Sequence, residues 1–292
     1  MKAREAIGVG LEILMRKDDN IFQISVKILP IFLLVLSACT QTRQLTVIDA
    51  GHTLTEFGAL SCTNKKEVAY NDDLVMEISK ELTWKGREFL LTRTKDNGIN
   101  QDEYLRRYLI DPLDDEKWQR YKELYSRIAL ANEKNAGLFI SIHHDSVQEY
   151  HLVRTKDGKI IDVQEDFKQK FNPGYSIYIA NDPKYPNTER HYLDALKFAK
   201  IFANKMQTLG RKPSTYHEGK PDQDNYQSID LPLGIYNSKT ILAVLRNAKM
   251  PAVLIEAGVI VDVEDENIIS SQAFKDQFAI LLAESIDAFF GQ

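Results

Sequence analysis

Three short apolar runs each end in a side chain able to bind or assist a metal ion. Leu45-Thr46-Val47-Ile48 leads through Asp49-Ala50-Gly51 to His52, Leu138 to Ile142 leads to His143, and Ala252 to Ile255 leads to Glu256. A fourth residue, Glu67, sits near the start of a segment whose apolar positions Leu74, Val75, Ile78 and Leu82 recur at helical spacing. Two histidines and a glutamate, with a second glutamate nearby, are the inventory of a catalytic zinc site with three protein ligands, one open position and a separate base. The chemistry such a set performs is hydrolysis.

The elements that must position these residues follow from the pattern. Read as buried strands, the three runs place His52, His143 and Glu256 at or just past carboxyl ends, where open α/β sheets keep their ligand sites. Strands are expected at 45–49, 88–93, 138–143, 175–180, 241–245 and 252–256, and helices at 65–83, 116–135, 188–209 and 272–290. This alternation predicts a single α/β domain, a mostly parallel twisted sheet of about six strands with helices on both faces. Glu67 then falls in the first helical turn, where a capping arrangement with Asn64 is its simplest structural role. One polar stretch, 94–117, is acidic and charged, a second, 146–174, reads as a hairpin turning at Lys156-Asp157-Gly158-Lys159, and a third, 210–240, lacks clear periodicity.

The chain has 292 residues, 43% of them hydrophobic, and a net charge of −5. The first 38 residues hold five basic and four acidic side chains, which leaves −6 for the rest and argues against a nucleic-acid partner. Residues 28–35, behind Lys27, form an apolar run far shorter than the roughly 20 residues a membrane span needs, so they read as the core of a secretory signal. Leu36-Ser37-Ala38-Cys39 resembles a bacterial lipobox, which implies a signal over 1–38, acylation of Cys39, a tether over 39–44 and a catalytic domain over 45–292. Initiation at Met1 or Met15 is compatible with this reading. Thr40, in place of the Asp that retains enteric lipoproteins in the inner membrane, favours the outer membrane, and a monomer on the periplasmic side is expected. Cys62, the second of two cysteines, is read as a small loop residue because it lacks the paired spacing of a zinc thiolate.

The motifs also match a family in order. Val47 to His52, Gly58-Ala59, Glu67, Asn71, Leu91-Thr92-Arg93, Leu124 with Arg127 and Ala131-Asn132, Phe139 to His143, and Pro251 to Gly258 together resemble the zinc-dependent N-acetylmuramoyl-L-alanine amidases. The resemblance implies that His52, Glu67 and His143 bind one zinc ion and that Glu256 is the catalytic acid/base. The implied substrate is peptidoglycan, cut between the lactyl group of N-acetylmuramic acid and the L-alanine of the stem peptide. Asp49, His144 and Asp145 are expected to support the ligands or touch substrate, with Asp49 hydrogen-bonding a ligand histidine and His144 pointing away from His143. Ala50, Thr53-Leu54, Asp145, Val259 and Asp262 depart from the family pattern, which bears on the shape and charge of the groove. His217 is read as a surface residue, and Arg93 and Arg127 as partners for surplus acidic groups. Two alternatives use the same residues: a zinc peptidase of other envelope specificity, and a non-catalytic wall-binding protein. Because 146–174 reads as a hairpin and not an inhibitory helix, the site is expected to stand open.

Overall fold

A computed structural model describes residues 44–94, 98–216, 226–238 and 242–292, all within one compact unit, Arg43–Gln292. The signal, the start-site alternatives, Cys39, the tether before Gln44 and His217 lie outside the described residues. No helix among the described residues is long and apolar enough to cross a membrane.

The chain alternates strands and helices as β1 (Thr46–Ala50), α1 (Glu67–Trp84), β2 (Phe89–Leu91), α2 (Asp115–Glu133), β3 (Leu138–Asp145), the hairpin β4 (Leu152–Arg154) and β5 (Ile160–Val163), α3 (Glu165–Lys168), β6 (Ser176–Ile179) and α4 (Pro186–Thr208). It continues through β7 (Tyr226–Asp230), β8 (Ile235–Ser238), α5 (Ala243–Arg246), β9 (Ala252–Val259), α6 (Val263–Ser270) and α7 (Gln272–Phe290). Seven strands form one sheet in the order β2-β1-β3-β9-β6-β8-β7, and β4-β5 pair separately. Within the large sheet only β6/β9 and β7/β8 run antiparallel, so the expected mostly parallel sheet is present with one more strand than anticipated.

Its layers follow from the two-residue period of the strands. Ile48, Ala50, Ile140, Ile142, Val253 and Ile255 point to one face and pack on α1, α4 and α7 through Leu74, Ile78, Phe198, Phe202, Phe278 and Leu282. Val47, Phe139 and Leu254 point to the other, under Trp118, Tyr125 and Ile128 of α2. With helices on both faces the central strands are buried twice over, which is why they read as continuous apolar runs.

Two expectations fail. Residues 243–246 form the short helix α5, not part of a strand; an apolar run of this length does not distinguish a strand from a buried helical turn by periodicity. The place beside β6 is taken instead by β8, from the stretch read as aperiodic. β7 and β8 escaped notice because β7 is a polar, partly exposed edge strand and β8 ends in buried Asn237 and Ser238. Asn237 exchanges hydrogen bonds with the backbone of Asn181, at 2.7 and 3.1 Å, which makes its burial tolerable.

Candidate active site

β1, β3 and β9 lie side by side, and their carboxyl ends carry His52, His143 and Glu256. Glu67 is the first residue of α1, whose amino terminus comes back to the same rim. Its cap is Lys66, without a side-chain hydrogen bond, so the capping role with Asn64 does not occur; the Glu67 carboxylate turns inward instead. Oε2 lies 3.1 Å from His52 Nε2, and Oε1 lies 3.1 Å from His143 Nδ1. One ligand atom from each of these three residues falls within 4.8 Å of the others. Glu67 also accepts from the backbone N–H of Ala59 at 3.1 Å and of His144 at 3.3 Å. Burial works to raise its pKa, but the hydrogen bonds and charges of His143 and His52 outweigh it and hold the carboxyl below its usual range.

The loop bearing His52 is held by two buried arginines. At φ +61° His52 occupies the left-handed region, which costs a non-glycine residue about 1–2 kcal/mol. Arg93 donates to the carbonyls of Ala50, Gly51 and His52 at 3.1, 2.9 and 2.8 Å, and pairs with Asp72. Arg127 donates to the carbonyls of Ala50 at 2.6 Å and His52 at 2.5 Å, and to Asp49 at 2.6 Å. The two side chains do pair with acids as expected, and they also gather three successive carbonyls that the turn leaves unmatched. Asp49 accepts from Arg127, Thr92 and Ser141, so its oxygens serve the clamp and not a histidine ring.

Close approach to the rings dictates glycine at two positions. A Cβ on Gly51 would lie 2.2 Å from His143 Nε2, and one on Gly58, at φ +77°, would lie 2.2 Å from Glu67 Oε2.

His52 Nδ1 lies 3.1 Å from the Glu56 carbonyl, which only accepts, so Nδ1 carries the proton. In the neutral ring Nε2 then presents a lone pair to a carboxylate oxygen 3.1 Å away. That contact requires a proton or a cation between the two atoms.

Glu256 is the register partner of His143 on β9, and in a parallel pair the two side chains point to the same face. Its Oε2 is buried with no hydrogen-bond partner among the described residues. Burial first, then the charges of Asp145 and Glu67, push its pKa well above the ordinary carboxylate range. Asp145 is buried beside it and accepts from the backbone N–H of Ser146 at 2.7 Å. His144 faces the other side of β3, where Nδ1 donates to Asn71 Oδ1 at 2.7 Å; burial lowers its pKa to about 3, so it is neutral. Cys62 is buried in the 61–63 turn with Sγ donating to the Val261 carbonyl at 3.1 Å, and burial pushes its thiol up to about 12. Asp262 caps α6 and accepts from Tyr216, a structural task remote from the rings.

A cleft of about 590 Å³ opens over His52 and His143, walled by Thr53, Thr55, Glu56, Arg120, Tyr121 and Leu124, with Leu242 to Val244 opposite. Nothing in the sequence pattern of 116–135 marks this wall; Tyr121 and Leu124 are 43% and 42% exposed because they flank the core stripe of Trp118, Tyr125 and Ile128. The 146–174 segment is fastened elsewhere, with Lys168 bridging Asp162 at 2.8 Å and Asp262 at 3.2 Å.

A family model described as N-acetylmuramoyl-L-alanine amidase matches residues 46–288. Among solved structures, the N-acetylmuramyl-L-alanine amidase of Mycobacterium smegmatis is similar at 18% identity and a TM-score of 0.57, over 85% of this chain and 96% of that one. An N-acetylmuramoyl-L-alanine amidase from Clostridium difficile 630 is similar at 18% identity and a TM-score of 0.53, over 85% and 97%. The catalytic domain of an N-acetylmuramoyl-L-alanine amidase from Bacillus (Paenibacillus) polymyxa var. colistinus is similar at 20% identity and a TM-score of 0.51, over 85% and 98%. At these identities the likeness to solved structures is one of fold. No curated protein matches the sequence.

Proposed function

The chain belongs to the N-acetylmuramoyl-L-alanine amidase family, and on that premise we propose that His52, Glu67 and His143 hold one zinc ion and that Glu256 is the acid/base of the reaction. The protein is a peptidoglycan hydrolase of the class that cuts the amide between the lactyl group of N-acetylmuramic acid and L-alanine. The observation that carries the metal assignment is the convergence of His52, Glu67 and His143, whose ligand atoms all lie within 4.8 Å of one another. Two imidazoles and one carboxylate are a donor set suited to catalytic zinc. When bound there, zinc supplies Lewis-acid activation of water and of the scissile carbonyl.

The chain's own groups account for the proton traffic and the positioning. Glu256 takes a proton from the attacking water and returns it to the amide nitrogen, which cannot depart as an anion. Burial raises its pKa above the ordinary carboxylate range, which favours the half of the cycle in which it takes up and holds the proton of the water. Arg93 and Arg127 hold the His52 loop in its left-handed turn, and Gly51 and Gly58 let the rings and Glu67 close together. The cleft wall of Tyr121 and Leu124 offers apolar surface to the substrate, and Arg120, Glu56 and Glu123 offer charge.

Gly58→Ala should weaken zinc binding by about 10–100-fold, the usual cost of disturbing groups that orient a ligand, while leaving the fold cooperative. Competition with a chromogenic chelator reads this directly. Unchanged affinity would show that the Glu67 carboxylate gives way to the added methyl and that Gly58 does not set the ligand's position.

Residues 28–39 support export and acylation at Cys39, with the domain on the periplasmic side of a membrane. The defining test is mass spectrometry of soluble products after the zinc-loaded full chain meets purified peptidoglycan. Free stem peptides with an unmodified L-alanine amino terminus, absent with chelator, are expected. Fragments cut elsewhere would indicate a peptidase, and no product despite bound zinc would indicate a wall-binding role.

A further inference from the structure

We propose that the end of the domain opposite the catalytic cleft is a membrane-facing surface, with Trp84 as its interfacial anchor; this rests on the acylation of Cys39 proposed above. Four contacts define that end. Thr46 N–H donates to the Glu88 carbonyl at 3.2 Å, Gly137 N–H to Leu45 at 2.9 Å and Phe139 N–H to Pro251 at 3.0 Å, while the Gln292 side chain meets Gln44. The amino-terminal ends of β1 and β3, the turn after α1 and the end of the chain therefore share one rim.

α1 starts at Glu67 in the active site and runs 18 residues to Trp84, so the helix separates the two ends by about 27 Å. Five residue steps link Cys39 to Gln44, and a chain of that length reaches at most about 18 Å. An acylated Cys39 thus keeps the Gln44 rim near the bilayer in every orientation. What remains is whether the domain lies on its side or stands upright, and Trp84 bears on that choice.

Trp84 is 80% exposed, whereas the chain's other tryptophan, Trp118, is fully buried. Exposing an indole to water sacrifices the apolar surface that normally draws tryptophan inward, and indoles favour the headgroup level of a bilayer, where the ring is buried and its N–H stays wet. The two basic side chains that follow it in sequence are paired, Arg87 with Asp287 at 2.7 Å and Lys85 with the same aspartate at 3.6 Å. Seating Trp84 in the interface stands α1 on end and presents the cleft away from the membrane, toward the wall.

The experiment uses the full acylated chain reconstituted into vesicles of phosphatidylcholine brominated high on its acyl chains, followed by tryptophan emission. Flotation of the protein with the vesicles and loss of the Trp84 component of emission, with the Trp118 component intact, are expected; Trp84→Phe should float equally and lose no emission. A chain that floats while Trp84 stays unquenched by bromine and accessible to acrylamide would overturn the proposal and leave the anchor standing. A chain that does not float removes the acylation reading and the proposal with it. Protection of Trp84 that rises with protein concentration in the absence of vesicles would assign the surface to a second copy and overturn the proposal.

Discussion

Glu256→Gln should slow the release of stem peptide by about 10²–10⁴-fold, the range that a positioned acid/base contributes, with zinc content unchanged. The amide keeps the shape of the side chain but neither accepts a proton from water nor passes one to the departing nitrogen. The same substitution should stabilise the metal-free protein near neutral pH. Below about pH 4, under the ordinary glutamate range, folded and unfolded chains both hold the proton and the two proteins should unfold alike. As pH rises from the ordinary glutamate range toward the raised folded pKa, the unfolded wild-type chain sheds its proton while the folded one keeps it, so wild-type stability falls relative to the variant across that window. The variant gains only by losing a charge that burial disfavours, since the amide atom that replaces Oε2 is equally without a hydrogen-bond partner among the described residues. Paired activity assays and thermal melts across pH test both halves, and a variant that melts lower than wild type near neutrality would mean that Glu256 is compensated by its neighbours.

Arg127→Met should be the most damaging change to stability, at about 3–5 kcal/mol, because it strands the buried Asp49 carboxylate. Burial works to raise the Asp49 pKa; Arg127, Ser141 and Thr92 outweigh it and keep the carboxyl low, so this contribution exists above the ordinary aspartate range and is lost as pH falls. Methionine fills much of the same volume, which isolates the charge from the packing. The substitution also takes away one of the two donors that hold the carbonyls of Ala50 and His52 and leaves Arg93 alone on the turn, so activity should drop further than the folded fraction does. Adding Asp49→Asn should recover part of the stability, since removing both charges leaves no uncompensated ion, but it should not restore the His52 turn. Urea unfolding of the two single variants and the double variant tests this, and strictly additive losses would show that the pair is not coupled.

The sheet strands that carry the site were legible because burial on both faces leaves no room for polar alternation: Val47-Ile48, Phe139 to Ile142 and Val253 to Ile255 are apolar at every position but Ser141. Ser141 survives there because Asp49 accepts its hydroxyl at 2.6 Å. β7 and β8 were not legible, since a polar edge strand and a strand ending in Asn237-Ser238 carry no comparable pattern, and Ile241 to Leu245 suggested a strand where Ala243 to Arg246 coil into α5. Glu67 was visible as a helix-start carboxylate, and nothing local separates a cap from an inward-turned acid.

The sequence by itself determined which residue types stand at the ends of buried strands and at the head of the first long helix, because hydrophobic periodicity is a local property of the chain. Only the tertiary structure decided what those residues face. The left-handed turn at His52, its clamp by Arg93 and Arg127, the contact between Glu67 and both imidazoles, and the cleft wall at Tyr121 and Leu124 all join residues tens of positions apart. Their energies come from burial and pairing across the sheet, which no window along the chain contains.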